Sequence, residues 1–187
     1  MSKRIFDLIL ALFLGTLVLF PALIIAFFVR LTSPGPILYW SDRIGQNNVI
    51  FPMPKFRTMR SNTPALATHL LDNPDSYLTP IGSFLRKTSL DELPQLWSII
   101  KGHMSLVGPR PALFNQEDLI QARTQVGVHI LLPGITGLAQ INGRDELSIP
   151  EKVRLDAYYL HHRSLILDLK IILATIITVF RRDGITH

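Results

Sequence analysis

Cysteine is absent from the chain of 187 residues, which excludes disulfides and thiolate metal sites and leaves the compartment undetermined. Charge is sparse: Asp, Glu, Lys and Arg make up 18% of the residues, and with a mean hydropathy of +0.29 this points to apolar surface that meets lipid. No histidine stands four residues from another, so the helical zinc motif is excluded. Internal repeats and low-complexity stretches are missing as well. The length suits one compact domain plus an attachment segment, because a second core would be left with too few residues. What charge there is leans basic: 19 Lys and Arg against 14 Asp and Glu, a net +5 with pI about 9.8. That balance favours an anionic partner, and nucleic acid, phosphate-bearing substrates and anionic lipid all qualify.

Leu8 to Val29 carries no charged residue, a run that reaches the ~20 residues a helix needs to cross a bilayer. It is too long for a signal-peptide core and ends without a small-residue cleavage site. Lys3 and Arg4 precede it, while Arg30, Arg43, Lys55 and Arg57 follow it. Basic residues at both ends give no clear orientation and allow both ends to lie on one face. Pro21, past the middle of the run, removes a backbone donor and favours a kink. A spanning helix kinked at Pro21 and a re-entrant helix-break-helix both fit these residues. The division is residues 1–31 as membrane segment and 32–187 as catalytic domain.

The fold class expected is α+β and mainly helical. After the turn-rich hinge Thr32 to Pro36, β-prone runs at Ile37–Ser41 and Val49–Met53 read as a small hairpin. The basic strip Lys55 to Arg60 follows, then a proline-interrupted surface loop, Ser61–Pro80. A helix is expected from Ser89 to Lys101, stopped by Gly102, and another from Asn115 to Gln125, capped by Asn115. Pro133 to Gly137 reads as a turn. Pro150 suits the first position of a helix continuing to about Arg163, and Leu165–Phe180 reads as an amphipathic helix lying on the membrane, or equally as an ordinary core helix.

Ser89-Leu90-Asp91-Glu92 has the form of a capping box, which would make Glu92 structural. Equally, Asp91 near the positive end of a helix would stay ionised and face a bound phosphate. An aspartate can attack phosphorus to give an acyl phosphate, and its neighbour can hold magnesium, which takes one or two carboxylates plus phosphate oxygens. The setting favours chemistry: Arg86 lies close before Asp91, and Arg110 stands between Pro109 and Pro111 on a loop stiff enough to aim a guanidinium at phosphate. Asp156 follows Lys152 at i,i+4 spacing, so a surface ion pair explains it. Arg57 and Arg86 are equally explained as solvated surface charges.

With these residues assembled, the chain resembles the bacterial sugar transferase family, the monotopic phosphoglycosyl transferases, along nearly its whole length. The resemblance rests on an ordered set of motifs: Lys55-Phe56-Arg57-Thr58-Met59; Arg86 with Ser89 to Leu96; Lys101-Gly102; Met104 to Pro111; Pro133 to Gly137; Gln140-Ile141-Asn142-Gly143-Arg144; and Asp156 with Tyr158-Tyr159. It implies transfer of a sugar 1-phosphate from a UDP-sugar to polyprenyl phosphate with release of UMP, at the cytoplasmic face of the bacterial inner membrane. Asp91 would be the nucleophile and Glu92 its partner in binding Mg2+. Arg57, Arg86, Arg110, Asp156 and Arg144 would line the phosphate and nucleotide site, and the membrane helix would be re-entrant, bent at Pro21. Partners would be the UDP-sugar, polyprenyl phosphate and membrane lipid, not nucleic acid, with an oligomer allowed but not specified. A magnesium-dependent phosphatase or pyrophosphatase using the same carboxylates is the alternative, and a non-catalytic basic module docking on lipid or nucleic acid a third. Two departures stand out: Phe20 replaces the serine often found before the bend, and His103 occupies a position where an acidic residue is common.

Overall fold

The computed structural model describes residues 2–63, 73–143 and 146–181. Its elements are mainly helical. Helix α1 (Ser2–Thr32) carries the uncharged run and is about 46 Å long at 1.5 Å per residue. Helical backbone continues through Pro21 rather than breaking at it. In an apolar setting every lost backbone hydrogen bond is costly, so the chain gives up what proline forces and keeps the rest. Phe13, Leu17, Phe20, Leu23 and Phe27 of this helix are all exposed.

Both ends of α1 are nevertheless seated on the rest of the protein. Phe6, Leu10, Ala11 and Leu14 join the main core with Met53, Ile99, Met104, Val107, Tyr159 and Ile171. Ala22, Ile25, Ala26 and Val29 join a second core around Phe56 and Leu85. Polar contacts fix the first turns. Arg4 donates from Nη1 to the carbonyl of Ile99 at 2.6 Å and from Nη2 to that of Ile100 at 3.1 Å. The buried Asp7 accepts from Ser105 Oγ at 2.7 Å, and Lys3 donates to the buried Asp168 at 2.7 Å.

The expected hairpin is present and longer than the residue types suggested. Strands β1 (Leu38–Ile44) and β2 (Ile50–Phe56) pair antiparallel, Leu38 opposite Phe56 and Ile44 opposite Ile50. Pro52 and Pro54 do not end β2, because in a two-stranded ribbon one side of each strand needs no donor. Asn47 and Asn48 turn the connection with φ of 55° and 60°, the left-handed region that asparagine tolerates. Helix α2 (Gly82–Lys87) precedes the reactive segment.

Ser89 to Lys101 is not one helix. A 3-10 segment, Leu90–Gln95, leads into the short α3 (Leu96–Lys101), which Gly102 closes at φ +88°. Ser89 has φ +55° and its side chain caps nothing, so the capping box expected there does not form. Pro94 has no N–H to bond back to Leu90 as an α-helix would require, and the Glu92 carboxylate is held by Lys55 and Arg110 instead. The motif does form at Ser148 and Glu151, where the glutamate accepts from the Ser148 N–H at 2.9 Å and caps α6 (Ile149–His162). Helix α4 (Glu117–Gln125) begins after the position expected and is not capped by Asn115.

The expected turn at Pro133 to Gly137 contains a strand, β4 (Gly134–Thr136), parallel to β3 (Ser105–Val107). Strands this short show no periodicity. Glycines let them meet: a Cβ on Gly134 would lie 2.1 Å from the Gly108 nitrogen, and one on Gly108 would lie 2.3 Å from the Leu132 carbonyl. A turn of helix, α5 (Leu138–Ile141), precedes α6. Helix α7 (Leu165–Arg181) buries Asp168 and Ile171 and exposes Ile166, Leu169, Leu173, Ile176 and Ile177.

Candidate active site

Strand alternation explains the first cation of the site. Phe51 and Met53 of β2 point into the core, and Lys55, two residues on, lies on the same inward side. Its ammonium reaches Glu92 Oε1 at 2.8 Å and stands 3.8 Å from Asp91 Oδ2. Arg110, on the loop that leaves β3, donates from Nη2 to the same Glu92 oxygen at 3.2 Å. From α2, Arg86 donates through Nε to Thr58 Oγ1 at 3.0 Å, and its charge also acts on Asp91.

Asp91 is 7% exposed. Burial pushes its carboxyl above the usual range, Lys55 opposes that rise, Glu92 adds to it, and Arg86 and Arg110 oppose it more weakly. Burial and the Glu92 charge together therefore outweigh three cations. The two acids divide their work. Glu92 is hydrogen-bonded between Lys55 and Arg110, whereas Lys55 stands beyond hydrogen-bonding reach of Asp91. Such a site can attract a diphosphate and present one oxygen nucleophile to it.

The donor set also bears on metal. Among the described residues no group of three or more His, Cys, Asp or Glu side chains is close enough to cage an ion. Magnesium does not need a cage, since it keeps waters and phosphate oxygens and takes only one or two carboxylates. Asp91 and Glu92 fit that requirement.

Of the residues singled out from sequence, Asp91, Glu92, Arg86 and Arg110 come together. Arg57 and Asp156 are engaged elsewhere. Arg57 is buried rather than solvated, and donates to Pro36 O at 2.6 Å, Ser33 Oγ at 2.9 Å, Pro34 O at 3.0 Å and Ser33 O at 2.8 Å. It clasps the turn by which the chain leaves α1. Asp156 is 1% exposed and receives Arg123 Nε at 2.9 Å and Nη2 at 2.7 Å. The surface pair with Lys152 is thus replaced by a buried pair with Arg123, and Lys152 adds only a minor attraction. Burial still pushes the Asp156 carboxyl up, against the pull of Arg123. Pro21 sits within α1, far along the chain from these groups, and Arg144 lies outside the described residues.

Two residues were given no role from sequence. Lys55 was visible only as part of a basic strip, although alternation from Phe51 and Met53 would have turned it inward. Arg123 lies one helical turn after the buried Leu119, on the same inward face of α4.

A family model described as bacterial sugar transferase matches residues 1–182. The uncharacterized sugar transferase EpsL of Bacillus subtilis is 40% identical, over 98% of this chain and 89% of that protein. The UDP-galactose-lipid carrier transferase of Erwinia amylovora is 38% identical and the undecaprenyl-phosphate galactose phosphotransferase of Salmonella typhimurium 34% identical. Each of these two aligns with 97% of this chain, which spans only 41% of their own length.

Proposed function

This chain belongs to the bacterial sugar transferase family, and we propose that it transfers a sugar 1-phosphate from a UDP-sugar to polyprenyl phosphate, releasing UMP. The observation that carries the reading is the buried Asp91, 3.8 Å from the Lys55 ammonium and beside a Glu92 that holds Lys55 and Arg110. The Erwinia and Salmonella relatives, a UDP-galactose-lipid carrier transferase and an undecaprenyl-phosphate galactose phosphotransferase, support the two substrate classes.

In the first half-reaction an Asp91 carboxylate oxygen attacks the β-phosphorus of the UDP-sugar. The bond from that phosphorus to the bridging oxygen breaks, and UMP leaves with the oxygen and its electron pair. In the second, an oxygen of polyprenyl phosphate attacks the same phosphorus, the aspartyl–phosphorus bond breaks, and the carboxylate is restored with a polyprenyl diphosphate sugar as product. Lys55, Arg86 and Arg110 hold the diphosphate and offset its charge. Magnesium, held by Asp91 and Glu92, would supply further charge neutralisation on the phosphate oxygens. Purified protein given magnesium and a panel of UDP-sugars without lipid is expected to release a stoichiometric burst of UMP. Continuous turnover should start only when polyprenyl phosphate is added, and release of inorganic or sugar phosphate into water with no lipid acceptor would instead identify a hydrolase.

The membrane part of the proposal is one-faced association with the inner membrane, on its cytoplasmic side, through α1 entering and leaving by the same face, with a bend at Pro21 that keeps the backbone helical on either side. What supports it is that both ends of α1 are seated on the same body, Ala11 in one core and Val29 in the other. A helix spanning the bilayer would carry one of its ends away from that body. The exposed apolar face of α7 would lie in the same interface. Cysteines substituted at Ser2 and at the exposed Ser76 should both resist an impermeant thiol reagent in spheroplasts and both react once the membrane is opened. Reaction of position 2 from outside would establish a spanning helix.

A further inference from the structure

The loop that carries Arg110 is short of donors, because Pro109 and Pro111 have no N–H. It is held through its acceptors. Four successive carbonyls each receive a hydrogen bond: Pro109 O from Gly134 N at 2.9 Å, Arg110 O from Arg123 Nη1 at 2.8 Å, Pro111 O from Arg43 Nη1 at 3.2 Å, and Ala112 O from Ile44 N at 2.9 Å. The second of these fixes the residue whose guanidinium reaches Glu92. It comes from Arg123, a residue that is 8% exposed. The other donor nitrogens of that guanidinium, Nε and Nη2, both go to Asp156 Oδ2.

Resting on the reading of Arg110 as a diphosphate-binding group, we propose that Arg123 is a positioning residue that sets the Arg110 loop, and that Asp156 acts on the reaction only through Arg123. The geometry divides the labour. Asp156 on α6 aims the guanidinium and neutralises it, so that the charge of Arg123 is spent inside the protein and does not compete with Arg110 for the anion. Arg123 on α4 then pins the Arg110 carbonyl. The fork matters: an ammonium carries the charge but cannot bond Asp156 through two nitrogens while reaching the Arg110 carbonyl with a third.

The test is a double-mutant cycle between Arg123→Lys and Arg110→Met, read by UMP release and by calorimetric binding of inorganic pyrophosphate. Arg123→Lys is expected to lower kcat by about tenfold or more, as a small misplacement of a binding group does, with the melting temperature held. In the Arg110→Met background the same change should cost less than about twofold, because the group it positions is gone. Asp156→Asn, which keeps the shape of the carboxylate, should follow the same pattern, and it carries the test if Arg123→Lys does not fold. Unchanged kcat, or an equal loss with and without Arg110, would assign the pair to stability alone. If no UDP-sugar yields UMP, the proposed reaction fails and pyrophosphate decides the positioning role by itself. Arg123→Lys must then weaken pyrophosphate binding when Arg110 is present and leave it unaltered in Arg110→Met, and equal binding by Arg123→Lys and the unsubstituted protein overturns the role.

Discussion

Asp91→Asn is expected to reduce UMP release on the order of 10³-fold or more, the scale of losing a nucleophile, while raising the melting temperature at neutral pH. The first effect follows from chemistry: the amide cannot form the aspartyl–phosphorus bond, and Glu92 cannot substitute because its carboxylate is engaged by Lys55 and Arg110. The second follows from burial. The Asp91 carboxyl is raised in the folded protein, so folding disfavours its ionised form. For a group raised on folding, stability is fully present below the unfolded pKa and is lost as pH rises through the folded one. At neutral pH Asp91 therefore weighs against the fold, and asparagine relieves that burden. The gain in melting temperature should shrink as pH falls through the raised pKa and vanish once both states bind the proton. Turnover by the unsubstituted protein should decline over the same interval, since only the carboxylate attacks. Full UMP release by Asp91→Asn would sink the assignment. A melting temperature lowered at neutral pH would show that Lys55, Arg86 and Arg110 depend on this charge more than burial penalises it.

How much of this was legible in the sequence depended on the range of the forces involved. The long apolar helix, the hairpin, and helices α6 and α7 announce themselves through length, alternation and period, which are local properties. Asp91, Glu92 and Arg110 were legible because the prolines flanking Arg110 and the adjacent acids are unusual in themselves. What failed were inferences that used local spacing where distant partners decide. Ser89-x-x-Glu92 matches a capping box as well as Ser148-x-x-Glu151 does. Only the second forms, because Lys55 and Arg110, 37 and 18 residues from Glu92, claim its carboxylate. Asp156 has a suitable lysine at i−4, yet it is buried against an arginine 33 residues away. Arg57 counted as one of several basic residues, whereas its partners lie in the hinge 21 to 24 residues before it. The parallel pair β3 and β4 has no signature of its own, since each strand is shorter than two full alternations.

Lys3→Met is expected to lower stability by roughly 2–3 kcal/mol, below the 3–5 kcal/mol typical of breaking a buried ion pair because the lysine is partly exposed. Asp7 and Asp168 are each 1% exposed, and Lys3 serves both, at 3.8 Å and 2.7 Å. Removing the ammonium leaves two carboxylates in the interior, held among the described residues by neutral donors: Ser105 Oγ and the Leu106 N–H for Asp7, and Tyr159 OH for Asp168. The same substitution reaches the active site, because Asp7 holds β3, and β3 delivers the chain to the Arg110 loop. A second change separates charge from packing. Adding Asp168→Asn to Lys3→Met removes one stranded carboxylate and should recover at least half of the lost stability, a coupling that independent sites would not show. Melting in detergent micelles, together with protease protection of the first turns of α1, reads both effects. If Lys3→Met melts with the unsubstituted protein, the Lys3 ammonium does not anchor the first turn of α1, and the Arg4 bonds to Ile99 and Ile100, together with the apolar contacts of Phe6, Leu10 and Ala11, must hold that end of the helix on the protein.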